Sequence, residues 1–192
     1  MAYEAKQLHI FLFPLMASGH IIPMVDIARL FAGRGTKSTI ISTPLNALQI
    51  QDSIDGDKNS GLDIGLLTIP FPSVEAGLPK GCEHQNSITS PEMFLNFSKA
   101  CDMLQQPFEK LLEEHHPDCV VSDMFLTWTT DAAKKYNIYI PRLVFHGRCY
   151  FTLCVTENIK RFAPQEKVDE SDSEIFVVPG LPDRDDKVTV AF

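Results

Sequence analysis

His20 and Asp123 are the residues of this 192-residue chain whose types and settings could carry a reaction. His20 closes the stretch Leu15-Met16-Ala17-Ser18-Gly19-His20, and Asp123 opens Asp123-Met124-Phe125 directly after Ser122. An imidazole beside a carboxylate is the essential part of a general base. The ring removes a proton from a hydroxyl while the acid fixes its tautomer and stabilises the cation. The nucleophile is not supplied by the protein, because Ser122 lacks the Gly-x-Ser-x-Gly context of an activated serine. A proton taken from a bound substrate is therefore expected. The alternative is structural: each residue could simply cap its own helix.

The elements must bring these two residues together. Residues 8–14 (LHIFLFP) form a short apolar run that reads as a strand buried on both faces. A helix follows with Met24, Ile27, Ala28 and Phe31 on one face, ended by Gly33 and Gly35. Pro23 lacks an N–H and suits a first turn, which places His20 at or just before a helix N-terminus. Residues 37–42, 64–69, 119–122 and 140–145 read as further strands, and 51–61 as a polar surface loop. Ser90-Pro91 is a cap with proline at the first helical position. The stripe it starts, Phe94, Phe97, Cys101, Leu104, Phe108 and Leu111, is expected to be core with one end free to line a pocket, divided or kinked at Pro107. Short helices are expected over 128–136 and 149–162, and 71–89 is a candidate binding loop.

Strands alternating with helices predict an α/β fold, a doubly wound parallel sheet covered on both faces. In the usual order of such sheets, strands one and four lie side by side, and ligands bind outside their carboxyl ends. Those ends carry His20 and Asp123. The first turn has neither Gly-x-Gly-x-x-Gly nor Gly-Lys-Ser, so it is not a nucleotide phosphate cradle of either type. His146-Gly147-Arg148, after strand five, falls on the same rim. Cys82-Glu83-His84 has no second ligand pair for a metal and reads as loop, while His115-His116 suits a helix C-terminus.

Composition excludes other classes. A net charge of −8 argues against a nucleic-acid or anionic-membrane surface and for a small-molecule or protein partner. Residues 163–192 alone hold eight acids and three bases, so much of the acidity belongs to the tail. Five cysteines without a Cys-x-x-Cys suit reduced, mostly buried thiols in a reducing compartment, the cytoplasm. The apolar run 10–17 is too short to span a bilayer, and Glu4 and Pro14 spoil it as a signal-peptide core.

Six segments together resemble a known family: 9–31 (HIFLFPLMASGHIIPMVDIARLF), 39–46 (TIISTPLN), 74–82 (VEAGLPKGC), 117–130 (PDCVVSDMFLTWTT), 141–147 (PRLVFHG) and 171–182 (SDSEIFVVPGLP). They are similar to plant UDP-dependent glycosyltransferases of small molecules, most of all to the subgroup containing scopoletin and abscisate glucosyltransferases. The resemblance covers only the N-terminal half of such an enzyme. It implies a GT-B fold whose Rossmann-like acceptor-binding domain runs over 1–192, with about 163–192 an irregular tail leading toward an absent donor-binding domain. It implies that His20 is the catalytic base of an inverting transfer from a UDP-sugar co-substrate, UDP-glucose in this subgroup, and Asp123 its partner. Ser18 and Gly19 then lie beside the sugar and its phosphates, and His146, Gly147 and Arg148 line the acceptor pocket. Neither a metal nor a further cofactor is implied.

The departures carry information too. The family's C-terminal box, with its Trp-Ala-Pro-Gln start and His-Cys-Gly-Trp-Asn-Ser core, is missing, and with it the principal UDP-binding residues. Residues 137–141 hold two more positions than usual before strand five, Thr127 replaces a proline, and Arg148 replaces a small residue. The isolated chain is expected to be inactive, and two other readings stay open at this level: a non-catalytic module, either a truncated aglycone binder or a half that needs a separate C-terminal chain, self-associating through its uncovered face; and an unrelated hydrolase or isomerase using the same pair.

Overall fold

The computed structural model describes residues 6–167 and 177–181, which fall into two compact units, Met1–Gly147 and Arg148–Phe192. Among the described residues the first unit holds five strands, β1 (His9–Phe13), β2 (Lys37–Ser42), β3 (Ile64–Thr68), β4 (Cys119–Asp123) and β5 (Ile140–Phe145). They form one parallel sheet in the order β3-β2-β1-β4-β5. Strands one and four are neighbours, as expected, and their carboxyl ends meet at the point where the order reverses.

Alternation along β1 divides the core. Ile10 and Leu12 face α1 (Ser18–Ala32) and α2 (Pro44–Asn59), packing with Met24, Val25, Ala28, Ile50 and Ile54. Phe11 and Phe13 face the opposite layer of α3 (Pro91–Met103), α4 (Gln105–His115) and α5 (Thr129–Lys135), packing with Phe97, Leu104, Phe108 and Leu112. A strand covered on both faces therefore reads as an unbroken apolar run rather than an alternating one.

Two sequence expectations change, and the thiols are mostly buried, as expected. Residues 51–59 belong to α2, not to a loop: Ala47, Ile50 and Ile54 anchor it, and the rest of its surface is polar enough to hide the period. The aromatic stripe is divided at Leu104, three residues before Pro107, so that the proline falls inside the first turn of α4, where its missing N–H costs nothing. Cys149 and Cys154 are exposed, although Cys82, Cys101 and Cys119 are buried and all five are free thiols. The cap at Ser90 is formed as expected, its Oγ accepting the Met93 N–H at 3.2 Å.

The ladder between β4 and β5 is irregular. Cys119 stands opposite Ile140 but Val121 opposite Leu143, so β5 spends one more residue than β4 at 141–142. That is a bulge, and it sits in the last strand before the site.

The second unit contains α6 (Tyr150–Phe162), ended by Ala163 in the left-handed region at φ 42°. Gly180, at φ 82°, lies against Asn158 and Phe162 of that helix. Most of the acidic tail falls outside the described residues.

Candidate active site

His20 is the third residue of α1. Ala17 precedes the helix without a side-chain cap, and no acid stands in its first turn. The His20 and Ile21 N–H groups both bond the Ala17 carbonyl, while those of Ser18 and Gly19 have no acceptor among the described residues. A helix start left open in this way favours an anion.

Asp123 ends β4 and is fully buried. Its Oδ2 lies 2.5 Å from His20 Nδ1, and its Oδ1 accepts the Phe125 N–H at 3.1 Å. A carboxylate in that position can only accept, so His20 carries its proton on Nδ1 and presents a lone pair at Nε2. The His20 side chain is 18% exposed, enough for a substrate to reach the ring. Phe125 and Phe145 each stand with ring centroids 6.2 Å from the imidazole. Gly147 closes the third side: a Cβ there would lie 2.6 Å from His20 Cε1 and 2.9 Å from Nε2. Only glycine permits that approach.

Behind the carboxylate lies a second network. Arg142, on the bulged part of β5, donates from Nε to Ser122 Oγ at 2.7 Å, from Nη2 to the Asp123 carbonyl at 2.7 Å and from Nη1 to Thr130 Oγ1 at 3.2 Å. Ser122 Oγ lies 2.6 Å from Thr129 Oγ1, which donates to the Leu126 carbonyl.

The 71–89 loop docks beside His20. Its Gln85 N–H bonds the Met16 carbonyl at 2.8 Å, and Glu83 accepts the Leu45 N–H at the start of α2. His84 Nδ1 accepts the Asn86 N–H, which leaves Nε2–H to donate to Ser18 Oγ at 3.2 Å. Burial lowers the His84 pKa and favours this neutral form. Between this loop and α3 opens a cavity of about 90 Å³, walled by Leu15, Phe94, Phe97, Cys101 and Phe125 with Gln85, Ser98 and Asp102 as polar groups. Phe125 is common to the cavity and to the surroundings of His20. Burial, with Asp102 and Asp123 nearby, pushes the Cys101 thiol up to about 12, so it is a neutral wall and not a nucleophile.

The sequence candidates His20, Asp123, Ser18, Gly19 and Gly147 therefore gather at one end of the sheet. His146 directly precedes Gly147, and its Nδ1 is buried without a partner among the described residues. Arg148 opens the second unit. Sequence reasoning missed Arg142, Gln85 and the Ser18 contact of His84. A bulge, an amide in a loop and a neutral imidazole have no periodic signature.

No family model matches the chain. Relatives do. The chain is 53% identical over 176 residues to the scopoletin glucosyltransferase of Nicotiana tabacum, covering 92% of this chain and 36% of that protein. It is 46% identical over 178 residues to the anthocyanin 3'-O-beta-glucosyltransferase of Gentiana triflora, covering 93% and 36%. Among solved structures, UGT73P12 of Glycyrrhiza uralensis, complexed with glycyrrhetinic acid 3-O-monoglucuronide, superposes with a TM-score of 0.82 at 39% identity, over 93% of this chain and 36% of that one. The chain thus spans about a third of the length of the curated relatives it matches.

Proposed function

We propose, on the premise that this chain belongs to the plant UDP-dependent glycosyltransferases and corresponds to their N-terminal Rossmann-like domain, that it binds the sugar acceptor and supplies the base of an inverting glucosyl transfer. The domain runs over residues 1–192, and the whole protein moves glucose from UDP-glucose to a hydroxyl of a phenolic, flavonoid, coumarin or terpenoid acceptor. The observation that carries this reading is the buried Asp123 carboxylate held 2.5 Å from His20 Nδ1, beside an aromatic-walled cavity.

His20 Nε2 takes the hydroxyl proton as the acceptor oxygen attacks the anomeric carbon and UDP departs, and Asp123 stabilises the imidazolium. Phenols, with pKa values near ~10, gain most from a base of this kind. Ser18 and Gly19 stand beside the sugar and its phosphates, supported by their open N–H groups. His146, Gly147 and Arg148 bound the acceptor, and most contacts to UDP come from the remainder of the whole protein. The transfer uses no metal, since the base and the helix start answer the charges involved. The protein works in the cytoplasm, a compartment that suits its free thiols. Isolated, the chain self-associates through apolar surface such as Leu143 and Val144 of β5, 46% and 59% exposed.

The test joins this chain to the remaining length of the tobacco relative and follows 7-hydroxycoumarin glucoside by mass spectrometry, with coumarin binding read separately by fluorescence. His20→Ala is expected to lower turnover by about 10³-fold and to leave binding nearly intact. Equal turnover refutes the base. Binding without turnover in the unmutated chimera points instead to a non-catalytic aglycone-binding module.

A further inference from the structure

We infer that Arg142 is the positioning residue of the site: its guanidinium, aimed by the β5 bulge, clamps the end of β4 and thereby holds the Asp123 carboxylate on His20. The catalytic meaning of this role rests on His20 being the base; the structural role does not.

The bulge comes first. An extra residue at 141–142 breaks the β4–β5 ladder between the pairs Cys119–Ile140 and Val121–Leu143. Bulges bend a strand and re-aim the side chain they carry. Pro141, which has no N–H to lose, stands at the break. Arg142 is two residues before Val144, the partner of Ser122, so alternation sends its side chain to the same side of the sheet as Ser122.

What it holds comes next. Three of its nitrogens reach three separate anchors: the Ser122 hydroxyl, the Asp123 carbonyl and the Thr130 hydroxyl in the first turn of α5. Strand end, helix start and neighbouring strand are tied through one planar group, whose fork geometry an ammonium cannot copy. The hydroxyls run in one direction, Arg142 to Ser122 to Thr129 to the Leu126 carbonyl, so that each proton has a defined acceptor.

Charge supplies the third strand of the argument. Among the described residues no carboxylate lies within ion-pairing distance of Arg142. Burial lowers the Arg142 pKa and the Asp123 charge opposes that, so the two groups are electrostatic partners without touching carboxylate to guanidinium. Asp123 is wholly buried, and among the described residues its charge-bearing oxygens have only His20 and the Phe125 N–H. Arg142 stands behind this carboxylate, bonded to the Asp123 carbonyl, where it does not compete for Oδ2.

The experiment needs no turnover, which separates it from the test of the proposed function. Proton NMR of the chain should show a downfield His20 Nδ1–H resonance, assigned by its loss in Asp123→Ala. Arg142→Met is expected to lose that resonance while its amide spectrum stays folded, and Arg142→Lys to restore it in part. A folded Arg142→Met whose resonance is unmoved overturns the proposal. Should Arg142→Met not fold, Ser122→Ala removes the acceptor of the Arg142 Nε–H and leaves the charge. The resonance then moves upfield if Arg142 acts through this network, and an unmoved resonance again overturns it.

Discussion

Gly147→Ala tests the site at its tightest contact. The new Cβ would stand 2.6 Å from His20 Cε1, 2.8 Å from Nδ1 and 2.9 Å from Nε2, where ordinary contact begins near 3.4 Å. To relieve the clash the imidazole must retreat by about 0.8 Å, which is most of the difference between a strong hydrogen bond and none. The bond at risk is the 2.5 Å contact to Asp123, a buried carboxylate with one other hydrogen-bond donor on its charged oxygens. Losing a hydrogen bond to a charged group costs roughly 2 kcal/mol, and in a chain of this size lowers the melting temperature by roughly 5 °C. In the chimera, if His20 is the base as proposed, a displacement approaching 1 Å of its ring lowers turnover by about 10²-fold. Thermal melting, the Nδ1–H resonance of His20 and glucoside formation read the three consequences. Should Gly147→Ala keep the resonance and full turnover, the loop has yielded instead of the ring, and the claim that glycine is required here for its lack of a Cβ is refuted.

Two further outcomes follow from the same structure. Burial and the nearby Lys37 push the His9 imidazole down to about 4, while Asp118 and Asp63 oppose this; its Nε2 lies 2.8 Å from Thr39 Oγ1. The unfolded chain protonates first as the pH falls through about 6.5, so stability from neutral His9 is present above that and is lost toward about 4. Urea midpoints should decline across this window, and less steeply in His9→Gln; identical slopes would sink the assignment. At the aromatic cavity, Asp102 is the acid in the lining, so 7-hydroxycoumarin should bind about 5-fold better than its 3-carboxylate. Asp102→Asn should remove most of that preference in a fluorescence titration, and an unchanged ratio would show that Asp102 does not face the ligand.

Much of this fold is legible because apolar periodicity and turn chemistry are local. The run at residues 9–13 announces a strand covered on both faces, Ser90-Pro91 announces a helix start, and both are found. The second half of α2 is hidden in the sequence because Ala47, Ile50 and Ile54 are the helix's principal apolar anchors, and a helix held by so few contacts looks like polar loop. Leu104 was not recognised as a break because the stripe continues through it with nearly unbroken spacing, and the visible signal was the proline three residues later.

His20 and Asp123, 103 positions apart in the chain, could be joined from sequence alone. Strand order in doubly wound sheets is restricted enough to put the loops after strands one and four side by side. Residue types and element order thus determined which groups meet, and the resemblance agreed with them. Tertiary structure alone decided how they are held: the 2.5 Å bond, the glycine pressed on the imidazole, the His84 contact to Ser18 and the guanidinium behind the carboxylate. Those depend on register, on a one-residue bulge and on distances of tenths of an ångström, and they are set only when every neighbouring element has packed.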